Sequence, residues 1–234
     1  MSTTALTVVA AAASNPITLA SAKSHLKVTH SLEDGHIADL ISAATQWAQD
    51  ETRRILIDTK VTLKFDRFPK RGEAVWIRGD SFANVYFIPV STFGRIKATN
   101  ARERGIVLPG GKVTAVNDID YTDEDGNPQT LTGPTSGAPG TDYQEDLTDD
   151  EWPQIFPARE MDWPAVQSGL VNAVQVEYQV GWADETEVPE SIRHAIRFKI
   201  GDLYTIRDTA DAGSKSKLLT AAEDLLFPYV VQQV

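Results

Sequence analysis

Residues 113–151 hold 11 of the chain's 33 Asp and Glu and no Lys or Arg, so cation binding or acid–base chemistry is sought there first. Asp118, Asp120, Asp123, Glu124 and Asp125 precede Gly126, as oxygen ligands do before the turn glycine of a calcium loop. An EF-hand loop would need its first Asp where Tyr121 stands, and it would need flanking helices. Asp123-Glu124-Asp125-Gly126-Asn127-Pro128 has instead the residue types of a hairpin turn. Asp142, Glu145, Asp146, Asp149, Asp150 and Glu151 supply enough carboxylates for a hydrolase's acid and base. A polar loop, however, keeps such groups solvated and their pKa values ordinary. His25, His30 and His36 follow no metal-ligand spacing, and each reads as a helix-end or surface histidine.

Other catalytic patterns are missing from the sequence. It has no GxSxG, no GxxxxGK[ST] and no GxGxxG, so neither a nucleophile elbow nor a phosphate-binding loop is expected. Leu108-Pro109-Gly110-Gly111-Lys112 is glycine-rich but leads into a strand, which offers no helix N-terminus to an anion. Neither a cofactor nor a metal site is expected. Arg95, Lys97, Arg102 and Arg104 could touch nucleic acid, but the chain's net charge of −11 opposes tight DNA binding.

The elements that would position these residues are helical at both ends and β-rich between. Thr18 suits the N-cap of a short helix running to about Val28. Ile37, Leu40, Ile41, Ala44, Ala48, Ile55 and Leu56 recur at intervals of three and four and predict a long helix over about 33–56. Val61, Leu63 and Phe65 then alternate with polar residues as a half-buried strand does, up to Phe68-Pro69. Further strands are predicted at 75–77, 85–88, 112–121 and 129–131, around Tyr143 and Ile155, and at 173–180. The Gly- and Pro-rich stretch 132–140 reads as a loop. Helix resumes at Pro189, a good first helical residue, with Ile192, Ile196, Ile200, Leu203 and Ile206 as its stripe. A last helix is expected over 216–226.

Composition narrows the class. With 234 residues, 41% of them hydrophobic, and five Trp, the chain can bury a sizeable core. It has no cysteine, so disulfides and thiolate metal sites are excluded. No apolar run approaches the length of a membrane span. Residues 5–13 are apolar, but the four before them carry no side-chain charge, so 1–16 reads as a mobile or partner-bound arm and not a signal peptide. Charge is unevenly placed: 60–112 carries 11 basic and 4 acidic residues, immediately before the acidic block. Such a bipolar subunit suits head-to-tail stacking, positive side on the next copy's negative side. The apolar end, 227–234, cannot stay helical through Pro228 and suits docking on a partner.

The order of these motifs resembles the head–tail connector (adaptor) proteins of tailed bacteriophages. The resemblance is carried by 17–28 and the helix after it, Leu63-Lys64-Phe65-Asp66-Arg67-Phe68-Pro69, and Ile106-Val107-Leu108-Pro109 leading into Val113-Thr114-Ala115-Val116. It continues through Tyr121-Thr122-Asp123 with Gly126, Asp142-Tyr143, Trp152-Pro153-Gln154-Ile155, 174–182 and Val188-Pro189-Glu190-Ser191-Ile192. It implies a non-enzymatic virion protein of the neck, made in the host cytoplasm and assembled as a twelve-subunit ring beneath the portal. Such a ring extends the DNA channel, lets DNA pass without sequence-specific binding, and offers a platform to a stopper or tail protein. No membrane is involved. A stopper or tail-completion protein is the nearest alternative, and a carboxylate-dependent hydrolase a more distant one.

The expected fold is therefore α+β. A helical bundle (17–56 with 189–226) and a β-rich portion (57–188) make one connector domain, 17–226, between the arm and the 227–234 tail. Related chains pass quickly from the Phe-Pro to the Leu-Pro motif, so about 70–105 reads as an inserted β-ribbon. Phe227, Tyr229, Val230 and Val231 are the residues expected to dock on the portal. Arg78, Arg95, Lys97, Arg102, Arg104, Asp123 and Asp125 are expected at subunit–subunit or tail contacts.

Overall fold

Strand alternation and helical stripes sort the chain into two units. A computed structural model describes residues 5–10, 12, 14–69, 105–134, 140–206 and 217–231. The predicted strands at 75–77 and 85–88 lie outside the described residues. One unit comprises Met1–Ala11, Thr59–Gly181 and Gln232–Val234, and the other Ala12–Asp58 and Trp182–Val231.

The first unit is built on a five-stranded antiparallel sheet. Its strands are β1 (Ala5–Ala10), β2 (Thr59–Phe65), β4 (Val113–Thr122), β5 (Pro128–Thr130) and β8 (Val174–Val180), in the order β1-β2-β8-β4-β5. A three-stranded sheet joins β3 (Ile106–Val107), β7 (Gln154–Pro157) and β6 (Tyr143–Asp146). β8 is central because its alternate residues Val174, Val176, Tyr178 and Val180 are all apolar and buried. Val176 stands opposite Leu63 on one side and Ile119 on the other. Such cross-strand apolar sets fix register, since a slip of one residue would turn them to the opposite face. The Tyr178 hydroxyl, fully buried, donates to the Pro109 carbonyl at 2.7 Å, and burial raises its pKa well above the usual value.

Residues 5–10 depart from the expected arm. They pair antiparallel with β2, Ala5 opposite Lys64 and Ala10 opposite Lys60, with one irregularity. An apolar, β-branched run beside an open sheet edge satisfies its main chain by joining that edge.

The second unit is helical: α1 (Leu19–Leu26), α2 (Asp34–Thr52), α3 (Glu190–Ile206), α4 (Lys217–Leu226) and a 3₁₀ turn, Phe227–Tyr229. Thr18 caps α1 as expected, its Oγ1 accepting from the Ser21 amide at 3.2 Å. Ile37, Ile41, Ala44, Ala48, Leu56, Ile57, Val188, Ile192, Ile196, Ile200 and Leu226 share one buried cluster. α2 ends four residues before the expected Leu56. Arg53 closes it in the left-handed region at φ 56°, and Ile55, Leu56 and Ile57 are buried as extended chain. Pro189 stands one residue before α3, its carbonyl accepting from the Ile192 amide at 3.0 Å. No described helix is long and apolar enough to cross a membrane.

Candidate functional site

The acidic block divides into local caps. In the β4–β5 hairpin, Asp123 Oδ1 accepts from the amides of Asn127 (2.8 Å) and Asp125 (3.0 Å), and Oδ2 from Gln129 Nε2 at 2.9 Å. The Asn127 amide foremost, then the Gln129 side chain, hold this carboxyl below the usual carboxylate range. Gly126, at φ 86°, supplies the left-handed turn residue, and its amide donates to the Asp123 carbonyl at 3.0 Å. Asp123 therefore shapes the turn, while Glu124 and Asp125 stand exposed at its tip.

The carboxylates considered for a hydrolase are likewise occupied with backbone. Asp142 Oδ2 accepts from the Thr132 amide at 2.6 Å, Asp149 Oδ1 from the Glu151 amide at 2.8 Å, and Asp146 Oδ1 from the Thr148 hydroxyl at 2.6 Å. Glu145 is raised by partial burial. No group of three or more His, Asp or Glu among the described residues is placed to hold a metal. His25 lies 6.2 Å from the Phe198 ring and His36 6.4 Å from the Tyr204 ring, centroid to centroid. His30 is exposed, so the three histidines have separate surroundings.

The C-terminal segment is fastened to the end of α2. Arg54, only 5% exposed, donates from Nε to the Tyr229 carbonyl at 2.7 Å. Arg53 Nη1 donates to the Val231 carbonyl at 2.9 Å, and the Val231 amide donates to the Thr52 carbonyl at 3.1 Å. Of the four residues expected at a portal, Tyr229, Val230 and Val231 are thus half-buried against their own unit. Phe227 is 71% exposed. The Arg53-Arg54 pair was not singled out in the sequence. Two adjacent arginines just beyond a helical stripe are its only local signal.

A groove in the first unit was also unforeseen. It encloses about 750 Å³ and is lined by 66–69, Glu124, Glu160 and 162–171. Phe68 and Trp163 stack at 4.9 Å with planes 6° apart, and Tyr121 meets Phe68 edge-on at 5.7 Å. Such offset aromatic packing anchors an irregular loop that has no ladder of its own. Two main-chain contacts complete the anchorage: the Gln167 amide donates to the Thr122 carbonyl at 3.1 Å and the Asn172 amide to Asp66 Oδ1 at 3.0 Å. Leu170 and Val171 remain 39% and 65% exposed on the wall. Asp66, Glu124, Glu160 and Asp162 line the groove against a single base, Arg67. A strand-and-helix reading passes over 158–172 because the stretch has neither period.

The expected contact residues Arg78, Arg95, Lys97, Arg102 and Arg104 lie outside the described residues.

Known proteins match these features at two levels. Residues 16–93 match the family model described as phage gp6-like head-tail connector protein. No curated protein matches the sequence. A chain from the neck of an empty gene transfer agent particle, computed with C6 symmetry, is similar with a TM-score of 0.63 at 16% identity, over 98% of this chain and 96% of that one. A chain from the virion of a native gene transfer agent particle gives 0.64 at 17% identity, over the same shares of both chains. One from the neck of the native particle, computed with C12 symmetry, gives 0.63 at 14%, again over 98% and 96%. Residues 16–93 thus carry the sequence pattern of the phage gp6-like head-tail connector family, on a fold shared along nearly the whole chain with proteins of the gene transfer agent particle.

Proposed function

We propose that this chain is a structural head–tail connector, or adaptor, of a tailed phage or phage-like particle. It is a virion protein that forms a ring of twelve beneath the portal, extends the DNA channel and receives a stopper or tail protein. The observation that carries this reading is the connector-family match at the N-terminal helices, and the neck-protein likeness over 98% of the chain supports it. The C12 symmetry of one neck favours twelve copies. The carboxylates of 142–151 cap their own loops, which favours an adhesive role over hydrolysis. Phe227 is the exposed aromatic of the C-terminal segment and the side chain through which portal docking would run. An acidic chain repels DNA phosphates, so DNA would slide past without sticking.

Co-sedimentation with purified portal tests the reading. A complex of equal numbers of portal and connector chains is expected, weakened by Phe227→Ser. Failure of the wild-type chain to co-sediment at any salt concentration would overturn it.

A further inference from the structure

We propose that the groove lined by 66–69 and 162–171 is the acceptor for the 70–104 segment of a neighbouring copy, so that each subunit grips the next. This rests on the ring assembly proposed above. The wall of the groove leaves apolar surface in water at Leu170 and Val171, beside the buried Phe68–Trp163 stack. Adjacent exposed apolar residues rimmed by charge mark an interaction surface. The rim is acidic, four carboxylates to one guanidinium. The 70–104 segment has the opposite character, 7 Lys and Arg against 3 Asp and Glu, interleaved with Trp76, Phe82, Tyr86, Phe87 and Phe93. Aromatic side chains would fill the groove while the bases meet the rim, a division typical of interface core and edge.

The segment belongs to a second copy for a reason of geometry. The chain leaves the unit at Pro69, itself part of the groove wall, and to enter its own groove it would have to reverse at once beside a residue of fixed φ. A hairpin made from 35 residues would instead reach roughly 55 Å at about 3.3 Å per residue, far enough to meet a neighbour. Donor and acceptor on different surfaces of one chain make a heterologous contact, the kind that closes rings.

The test uses full-length chains, an equal mixture of ¹⁴N and ¹⁵N protein, assembled on portal and inspected for rings by electron microscopy. Val171, and in a second preparation Leu170, is replaced by p-benzoylphenylalanine, and photo-crosslinked peptides are mapped by mass spectrometry. The expected result is crosslinks to 70–104 that join light and heavy chains. Glu124→Arg with Glu160→Arg should reduce them roughly tenfold, and Arg95→Glu with Lys97→Glu should restore them. Rings whose crosslinks stay within one chain, or fall outside 70–104, would overturn this inference and leave the connector reading standing. Absence of rings would overturn both.

Discussion

Arg54 shows how one side chain fastens an element. Its guanidinium is nearly sealed from water and donates to a carbonyl 175 residues away in sequence, at Tyr229. Removing a charged donor from such a place costs about 1.5–3 kcal/mol, so Arg54→Ala should lower the stability of the helical unit by that amount in urea unfolding. Arg54→Lys should recover only part, because an ammonium lacks the planar fork. A wild-type midpoint in Arg54→Ala would refute the role. His25 offers a second residue-scale test. Burial first, then Arg197 and His194, hold its pKa below 6.5. The folded chain therefore takes up this proton less readily than the unfolded one, so the stabilising contribution is complete above pH 6.5 and is lost as pH falls through the lowered pKa. Melting curves of wild type and His25→Gln should converge or cross as pH drops from 8 to 5, and parallel curves would contradict the assignment.

At the scale of elements, the β4–β5 hairpin depends on Asp123 and the sheet on β8. Asp123→Ala removes the acceptor for the Asp125 and Asn127 amides. Hydrogen exchange at those two amides should quicken while the global melting temperature scarcely moves, and unchanged exchange would show the turn needs no such bracket. Tyr178→Phe strips a buried hydroxyl from the Pro109 carbonyl and should cost about 1 kcal/mol. Much at this scale was legible in the sequence. Periodicity located the four helices, and Asp-Gly chemistry located the hairpin, because both are local effects. The end of α2 was misplaced because Ile55 and Leu56 continue the apolar spacing although Arg53 has already turned the chain. The central place of β8 between β2 and β4 depends on pairing across more than 50 residues, which no local pattern encodes. The groove escaped for a similar reason: Phe68 and Trp163 stack only once the sheet has brought their loops together.

For the whole molecule, the uneven charge is the guiding quantity. Each copy carries −11, so a ring of twelve must overcome strong mutual repulsion through contacts between unlike blocks. Assembly should therefore be salt-dependent, since screening acts on both the general repulsion and the specific pairs. Replacing 70–105 with a short Gly-Ser linker should leave the helical unit's melting unchanged yet abolish ring closure and tail attachment. Intact rings in that variant would remove the insertion from the account. The most direct measurement of the central claim is a cryo-electron microscopy reconstruction of the chain bound to its portal. The account predicts a co-axial ring of twelve copies around an open channel, with Phe227 at the portal face. A monomer decorating the portal at scattered sites, or a closed plug across the channel, would contradict it.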